Sequence, residues 1–323
     1  MNLWKDAVLL NLFGTEVYAF GFYCAIGALA AALVLSVLCR EGRIRKGGSA
    51  CVFLLCAVCG LLCSRLAFCL LNRSLGGGMP FAAWFRITEG GWSMAGLIGG
   101  ILLGARLSAG LIRESRQKVF DYVCCSVPLL IAAVKIGESK LADFDISRPL
   151  AAGFPPVIPF LTVQDPKYSG VYYLATHRLG MIFAIGLFLI LAFFLTRPDR
   201  RPGDTGLLFL LLCGAGGVLL ESLRYDHFLE FSFVRLEQVF YACMLAAGTI
   251  WAVCRYGKNE KRRTARLAAV FLITAVAGCI GIEFALDRTG ISHLILYAAM
   301  ILLLSAPVIL SLRLLSEKGN NDA

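Results

Sequence analysis

The sequence predicts an all-α integral membrane protein, a polytopic bundle of about nine transmembrane helices with its N-terminus outside and its C-terminus in the cytoplasm. Three observations predict it. First, 59% of the 323 residues are hydrophobic and only 16% are charged, whereas a soluble domain runs at about 45–50% apolar and about 25% charged. Second, apolar stretches of bilayer length, about 20 residues each, recur from residue 17 to residue 312. Third, the segments between them alternate between strongly basic and poor in Lys and Arg, as a positive-inside topology requires.

In order, the spans are 17–38, 50–71, 92–111, 119–137, 178–196, 205–222, 234–253, 266–286 and 291–312. The segment before the first, MNLWKDAVLLNLFGTE, is mixed and partly charged, and no small-residue cleavage site follows the span. A removable signal peptide is therefore not expected. The basic connections are REGRIRK (40–46), RESRQK (113–118), RPDRR (197–201) and RYGKNEKRR (255–263), which places them in the cytoplasm together with the tail RLLSEKGNNDA. The net charge of +10 is then topology plus contact with anionic lipid. No basic stripe with interleaved aromatics occurs, so nucleic acid is not an expected partner.

The longest outer connection runs from Ser139 to His177 and contains FPPVIPF and VQDPKYSGVYY. It is too long for a turn and too apolar for a disordered linker, and such loops are commonly functional. It reads as an amphipathic arm on the outer membrane surface at about 139–177. The chain thus divides into a membrane core over 1–255 and two further helices with a cytoplasmic tail over 256–323.

Of the 13 cysteines, Cys51, Cys56 and Cys59 carry the C-x4-C-x2-C spacing of one iron–sulfur type. They stand inside an apolar helix, where about 100° per residue turns Cys51 away from the other two. Cys56, Cys59 and Cys63 do share a face, and small polarizable side chains there suit close helix packing. Neither a metal site nor a disulfide framework is expected, and no cofactor is called for.

Ionisable residues inside a span are costly and mark function by default. Arg65 lies deep in the second span, Lys135 and Glu138 where the fourth emerges, Glu221 and Arg224 at the end of the sixth, and Arg235 and Glu237 at the start of the seventh. Glu89, His177, His227 and His293 join them toward the outer half. For Glu89, Lys140 and Arg235, each near a boundary, a snorkelling interface role stands equally open. Basic groups beside glycine-lined helix ends suit an anionic head group, and neighbouring acids would move protons.

These residues resemble a known family, the bacterial phosphatidylglycerol–prolipoprotein diacylglyceryl transferases. GGWSMAGLIGG (90–100) resembles the family's Gly-Gly-x-Ser-x-His-Gly-Gly-Leu-Ile-Gly helix start, and LLCSRLAF its Gly-Ala-Arg-Leu-Tyr-Tyr segment, preserving Arg65. The run VFDYVCCSVPLLIAAVKIGESKLAD resembles the approach to the signature Gly-Arg-Ile-Gly-Asn-Phe-x-Asn-x-Glu. GAGGVLLESLRYD and RLEQVF resemble Arg-x-x-x-Glu-x-x-Arg and Met-Gly-Gln-x-Leu. The matches keep family order across roughly residues 15–255, and an outer N-terminus fits as well.

What the resemblance implies is transfer of a diacylglyceryl group from phosphatidylglycerol to the lipobox cysteine of a prolipoprotein signal peptide, at the outer face of the bacterial plasma membrane. It implies that Arg65, Arg224, Gly90, Gly91, Ser93, Gly96 and Gly137 hold phospholipid, and that Glu221, Glu138, Lys135 and His227 serve catalysis. The chain also departs from the family pattern. The family His corresponds to Met94, in a motif one residue shorter; the signature Arg, Asn and Glu correspond to Lys135, Glu138 and Asp143; the family Tyr of the first span corresponds to Phe20; and the Arg four residues before Glu221 is Gly217. A thioether takes no proton, and Lys lacks the bidentate fork of Arg. Two other readings stand beside transfer: a catalytically impaired paralogue that binds lipid or signal peptide without turnover, and a small-solute transporter, suggested by glycine-rich helices with charges at depth.

Overall fold

The structure, a computed structural model, describes residues 7–12, 14–45, 47–74, 84, 91–141, 147, 150, 159–164, 170–225, 230–231, 234–257 and 261–316. Among these, all nine expected spans are helices: α1 (Ala19–Glu41), α2 (Gly48–Ser74), α3 (Met94–Leu111), α4 (Arg116–Glu138), α5 (Thr176–Leu195), α6 (Asp204–Leu223), α7 (Leu236–Tyr256), α8 (Arg262–Arg288) and α9 (His293–Ser316). Each is long and apolar enough to cross a bilayer. Large apolar side chains point away from the protein, with Leu33 at 69%, Phe193 at 65%, Ile273 at 71% and Leu302 at 71% exposure. Such a surface would aggregate in water and is matched to lipid. The chain is a multi-pass membrane protein.

Two compact units form. The first comprises Met1–Pro198 with Leu223–Leu229, and the second Asp199–Ser222 with Glu230–Ala323. Thus α6 and α7 belong to the same unit as α8 and α9. In the first unit α4 is the most enclosed helix, and in the second α6 is.

Apolar side chains gain nothing by leaving lipid for one another, so helices associate in a bilayer through close backbone contact. The α2–α3 pair shows this device. A Cβ on Gly96, Gly100 or Gly104, all on one face of α3, would lie 2.5 Å from the Cys63 carbonyl oxygen, 2.3 Å from that of Cys59 and 2.7 Å from the Cys56 Cα. The cysteine face of α2 is therefore a packing face, as its spacing suggested, and Cys56 reaches the Ile101 carbonyl at 3.5 Å. A similar approach joins α1 to α4, where a Cβ on Gly27 would fall 2.5 Å from that of Ala133.

Small strands punctuate the bundle where the sequence suggested none. β1 (Val8–Leu12) and β2 (Thr15–Tyr18) form an antiparallel hairpin before α1, turned by Gly14 at φ +83°. Within 139–177, a 3₁₀ turn at Pro159–Leu161 leads into β3 (Thr162–Gln164), which pairs antiparallel with β4 (Tyr172–Leu174). Ser147 ties back to this hairpin, its N–H donating to the Leu174 carbonyl at 3.0 Å while its Oγ accepts from Leu174 N–H at 2.7 Å. Residues 142–146, 148–149, 151–158 and 165–169 lie outside the described residues. β5 (Glu230–Phe231) and β6 (Val234–Arg235) form a third short hairpin.

Candidate functional site

Helix alternation gathers the start of α1, the end of α4 and the start of α5 at one end of the first unit. At the end of α4, Lys135 Nζ and Glu138 Oε2 form an ion pair of 2.7 Å, their side chains 9% and 8% exposed. One helical turn separates them, so they share a face. Two glycines let the neighbouring helices close on this turn. A Cβ on Gly137 would stand 3.1–3.3 Å from Phe20 of α1, and one on Gly180 of α5 would meet the Lys135 stem at 3.0–3.2 Å. Because α4 and α5 run antiparallel with Gly180 on Lys135, buried His177, one turn before Gly180, stands at the height of Glu138.

The α2–α3 corner is organised around Arg65. Its Nη1 donates to the Gly91 carbonyl at 2.9 Å and its Nε to the Trp84 carbonyl at 3.2 Å. The guanidinium also stands 5.9 Å from the Phe68 ring and 6.0 Å from the Trp92 ring, within cation–π range. Gly91 has φ +80°, and a Cβ there would strike Phe68 at 2.3 Å, so only glycine fits. Ser93 caps α3, its Oγ accepting from Gly96 N–H at 3.2 Å, while Ser64 Oγ donates to the Ser93 carbonyl at 2.7 Å. Arg65 thus clamps the chain leading into α3. Met94 opens that helix and is buried, and what approaches Gly96 most closely is the backbone of α2.

In the second unit, Glu221 is buried at the end of α6, and Gln238 near the start of α7. Gln238 Nε2 donates to Glu283 Oε1 of α8 at 2.6 Å and, over 3.4 Å, to the Val218 carbonyl of α6. Tyr297 of α9 donates to the Ser222 carbonyl at 3.1 Å. Tyr241 explains Gly217: a Cβ there would fall 2.3 Å from the tyrosine ring, which occupies the room an arginine would need. Arg235 and Glu237 are buried at the start of α7. Arg224 is buried too, in the first unit.

Lys135, Gly137, Glu138 and His177 are thus brought to one end of the first unit, and Glu221 and Gln238 lie together in the second. Gly90, Glu89, Asp143 and His227 lie outside the described residues. Sequence reasoning missed Glu283, although an acid within the apolar run GCIGIEFAL was the signal it used elsewhere. Among the described residues, no three His, Cys, Asp or Glu side chains converge as metal ligands would.

The family model described as prolipoprotein diacylglyceryl transferase matches residues 7–254. The chain belongs to that family. Curated relatives are similar in the same sense, each named phosphatidylglycerol–prolipoprotein diacylglyceryl transferase. One from Clostridium novyi (strain NT) is 26% identical over 263 residues, covering 79% of this chain and 98% of the relative. One from Fervidobacterium nodosum is 24% identical over 211 residues, 64% of this chain and 70% of the relative. One from Chromohalobacter salexigens is 27% identical over 192 residues, 57% and 67% respectively. The family match runs from β1 nearly to the end of α7, so α8 and α9 lie beyond it.

Proposed function

We propose that the chain transfers a diacylglyceryl group from phosphatidylglycerol to the lipobox cysteine thiol of prolipoproteins, at the outer face of the bacterial plasma membrane. The cysteine sulfur bonds to the glyceryl carbon as the carbon–oxygen bond to phosphate breaks. Glycerol phosphate leaves and the thiol proton passes to a base. Such a step needs cations on the leaving phosphate and a base for a thiol of intrinsic pKa about 8.5. Lys135 and Arg224 supply charge for the phosphate, and Arg65 fixes the α3 start beside it.

The observation that carries the reading is the buried Lys135–Glu138 pair at 2.7 Å with His177 at its height. Met94 has no basic lone pair, and proton removal moves to this group or to Glu221 or His227; a base must come within about 3 Å of its proton or reach it through one water. The basic loops support the outer side, since a positive-inside topology has this end of α4 opposite the cytoplasm.

A second reading, lipid or signal-peptide binding without turnover, is favoured by the same Met94 and by the Tyr241 ring standing where the family arginine would reach. One assay separates the two: transfer of labelled diacylglycerol from phosphatidylglycerol to a lipobox peptide. Transfer is expected in the wild type, is expected to survive Met94→Ala, and is expected to collapse in at least one of His177→Ala, His227→Ala, Glu138→Gln and Glu221→Gln. No transfer to any lipobox peptide, with phosphatidylglycerol binding intact, leaves the non-catalytic reading standing.

A further inference from the structure

We propose that Glu283, on a helix beyond the region matched to the family, is a positioning residue that fixes Gln238 as a hydrogen-bond acceptor for the hydroxyls of a glycerol head group. The proposal deepens the phosphatidylglycerol reading above and rests on it.

Glu283 is costly to keep. It is buried in a helix of bilayer length, where an ionisable side chain costs several kcal/mol unless it is partnered. It accepts a hydrogen bond from the amide of Gln238, at 2.6 Å. The same amide nitrogen also faces the Val218 carbonyl at 3.4 Å. Both neighbours are acceptors, and the nitrogen is the only part of a carboxamide that donates. The side chain is therefore held in one of its two flip states. With the NH₂ group turned to Glu283 and Val218, what Gln238 has left to offer is its oxygen. Among the described residues no donor reaches that oxygen, and it is not among the buried polar atoms that lack a partner, so it is open to a ligand.

An acceptor-only group selects a ligand chemistry. It repels a phosphate oxygen and welcomes a hydroxyl. Val218 stands one turn before Glu221 on α6, so the oxygen is presented on the part of α6 that carries Glu221. The second added helix braces the same place, since Tyr297 donates to the carbonyl of Ser222, the residue after Glu221. Both added helices thus reach the α6–α7 wall through polar contacts, which a pair of lipid-facing anchors would not need.

The test uses the full-length protein in detergent or nanodiscs, and compares binding of phosphatidylglycerol with that of phosphatidic acid, which has phosphate but no glycerol hydroxyls. Glu283→Gln keeps an acceptor oxygen in place and is expected to retain the wild-type preference for phosphatidylglycerol. Glu283→Leu removes the acceptor, frees the amide to flip, and is expected to lose at least tenfold of that preference with phosphatidic acid binding unchanged. Should the leucine variant not insert, Glu283→Asp withdraws the carboxylate by one methylene and tests the same contact. In the transfer assay the loss is expected in KM for phosphatidylglycerol rather than in kcat, and Gln238→Ala combined with Glu283→Leu is expected to be no worse than Gln238→Ala alone. An unchanged lipid preference in the leucine or aspartate variant overturns the proposal, as does a glutamine variant as impaired as the leucine one. Absence of transfer in the wild type defeats the transferase reading instead, and leaves the binding comparison to decide on Glu283 by itself.

Discussion

Take the Lys135–Glu138 pair apart one charge at a time. Both side chains are more than nine-tenths buried and 2.7 Å apart, so Lys135→Met removes the cation facing the carboxylate and Glu138→Gln removes the anion facing the ammonium. Removing one partner of a buried ion pair typically costs about 3–5 kcal/mol, while replacing both with neutral groups of similar volume is often close to neutral. Each single variant is therefore expected to lose about 3–5 kcal/mol of stability, and the double variant Lys135→Met/Glu138→Gln to recover most of it. That coupling follows from geometry alone.

Function is expected to behave differently. If Glu138 moves protons and Lys135 faces the leaving phosphate, restoring stability restores no chemistry, and loss of acid–base help alone removes about 10²–10⁴ in rate. The assay is a double-mutant cycle with two readouts on the same preparations, thermal unfolding in detergent and diacylglyceryl transfer. A double variant that is stable and inactive supports the assignment. A double variant that is stable and transfers at the wild-type rate refutes it and makes the pair a packing device.

Cysteines placed singly in 255–263 are expected to resist an impermeant thiol reagent in intact cells and to react after permeabilisation; labelling from outside overturns the topology drawn from the basic loops. Arg65→Lys keeps the charge but cannot hold two carbonyls with one fork. It is expected to lose about 1.5–3 kcal/mol of local stability, read as faster amide exchange at Gly91–Ser93, and unchanged exchange would show that Arg65 is no clamp.

Much of the architecture was legible because the bilayer leaves the backbone few options. A span must satisfy its own peptide groups, so an apolar stretch of sufficient length becomes a helix, and the nine expected spans coincide with α1–α9 to within a few residues. The hairpins were not legible. Their strands are two to five residues long, too short for an alternating pattern to register, although Gly14 at φ +83° and Gly170 at φ +93° stand in two of the connections. The site was legible in its charges but not in its contacts. Arg65 reads from sequence as a phosphate ligand, yet two of its donors hold carbonyls of its own chain. The glycines of α3 read as room for a head group, yet Gly96, Gly100 and Gly104 receive α2. Small residues say that something comes close; the partner is a tertiary fact.

Two of the positions that depart from the family pattern differ from those that stay polar, whether kept or exchanged. Met94 is buried at the start of α3, and Gly217 is filled by Tyr241; both have become ordinary packing. Lys135, Glu138, Glu221, Gln238 and Arg224 remain polar and buried, where each charge works against folding unless matched. A chain that needed only to sit in a bilayer would be more stable with leucines at these places. The protein instead holds them with specific devices: a one-turn ion pair, a glycine under the lysine stem, and an acid on α8 that turns the Gln238 amide. We take polar groups kept at such cost as support for the transfer proposed above, with Met94 lacking the proton acceptor that the family pattern has at that position.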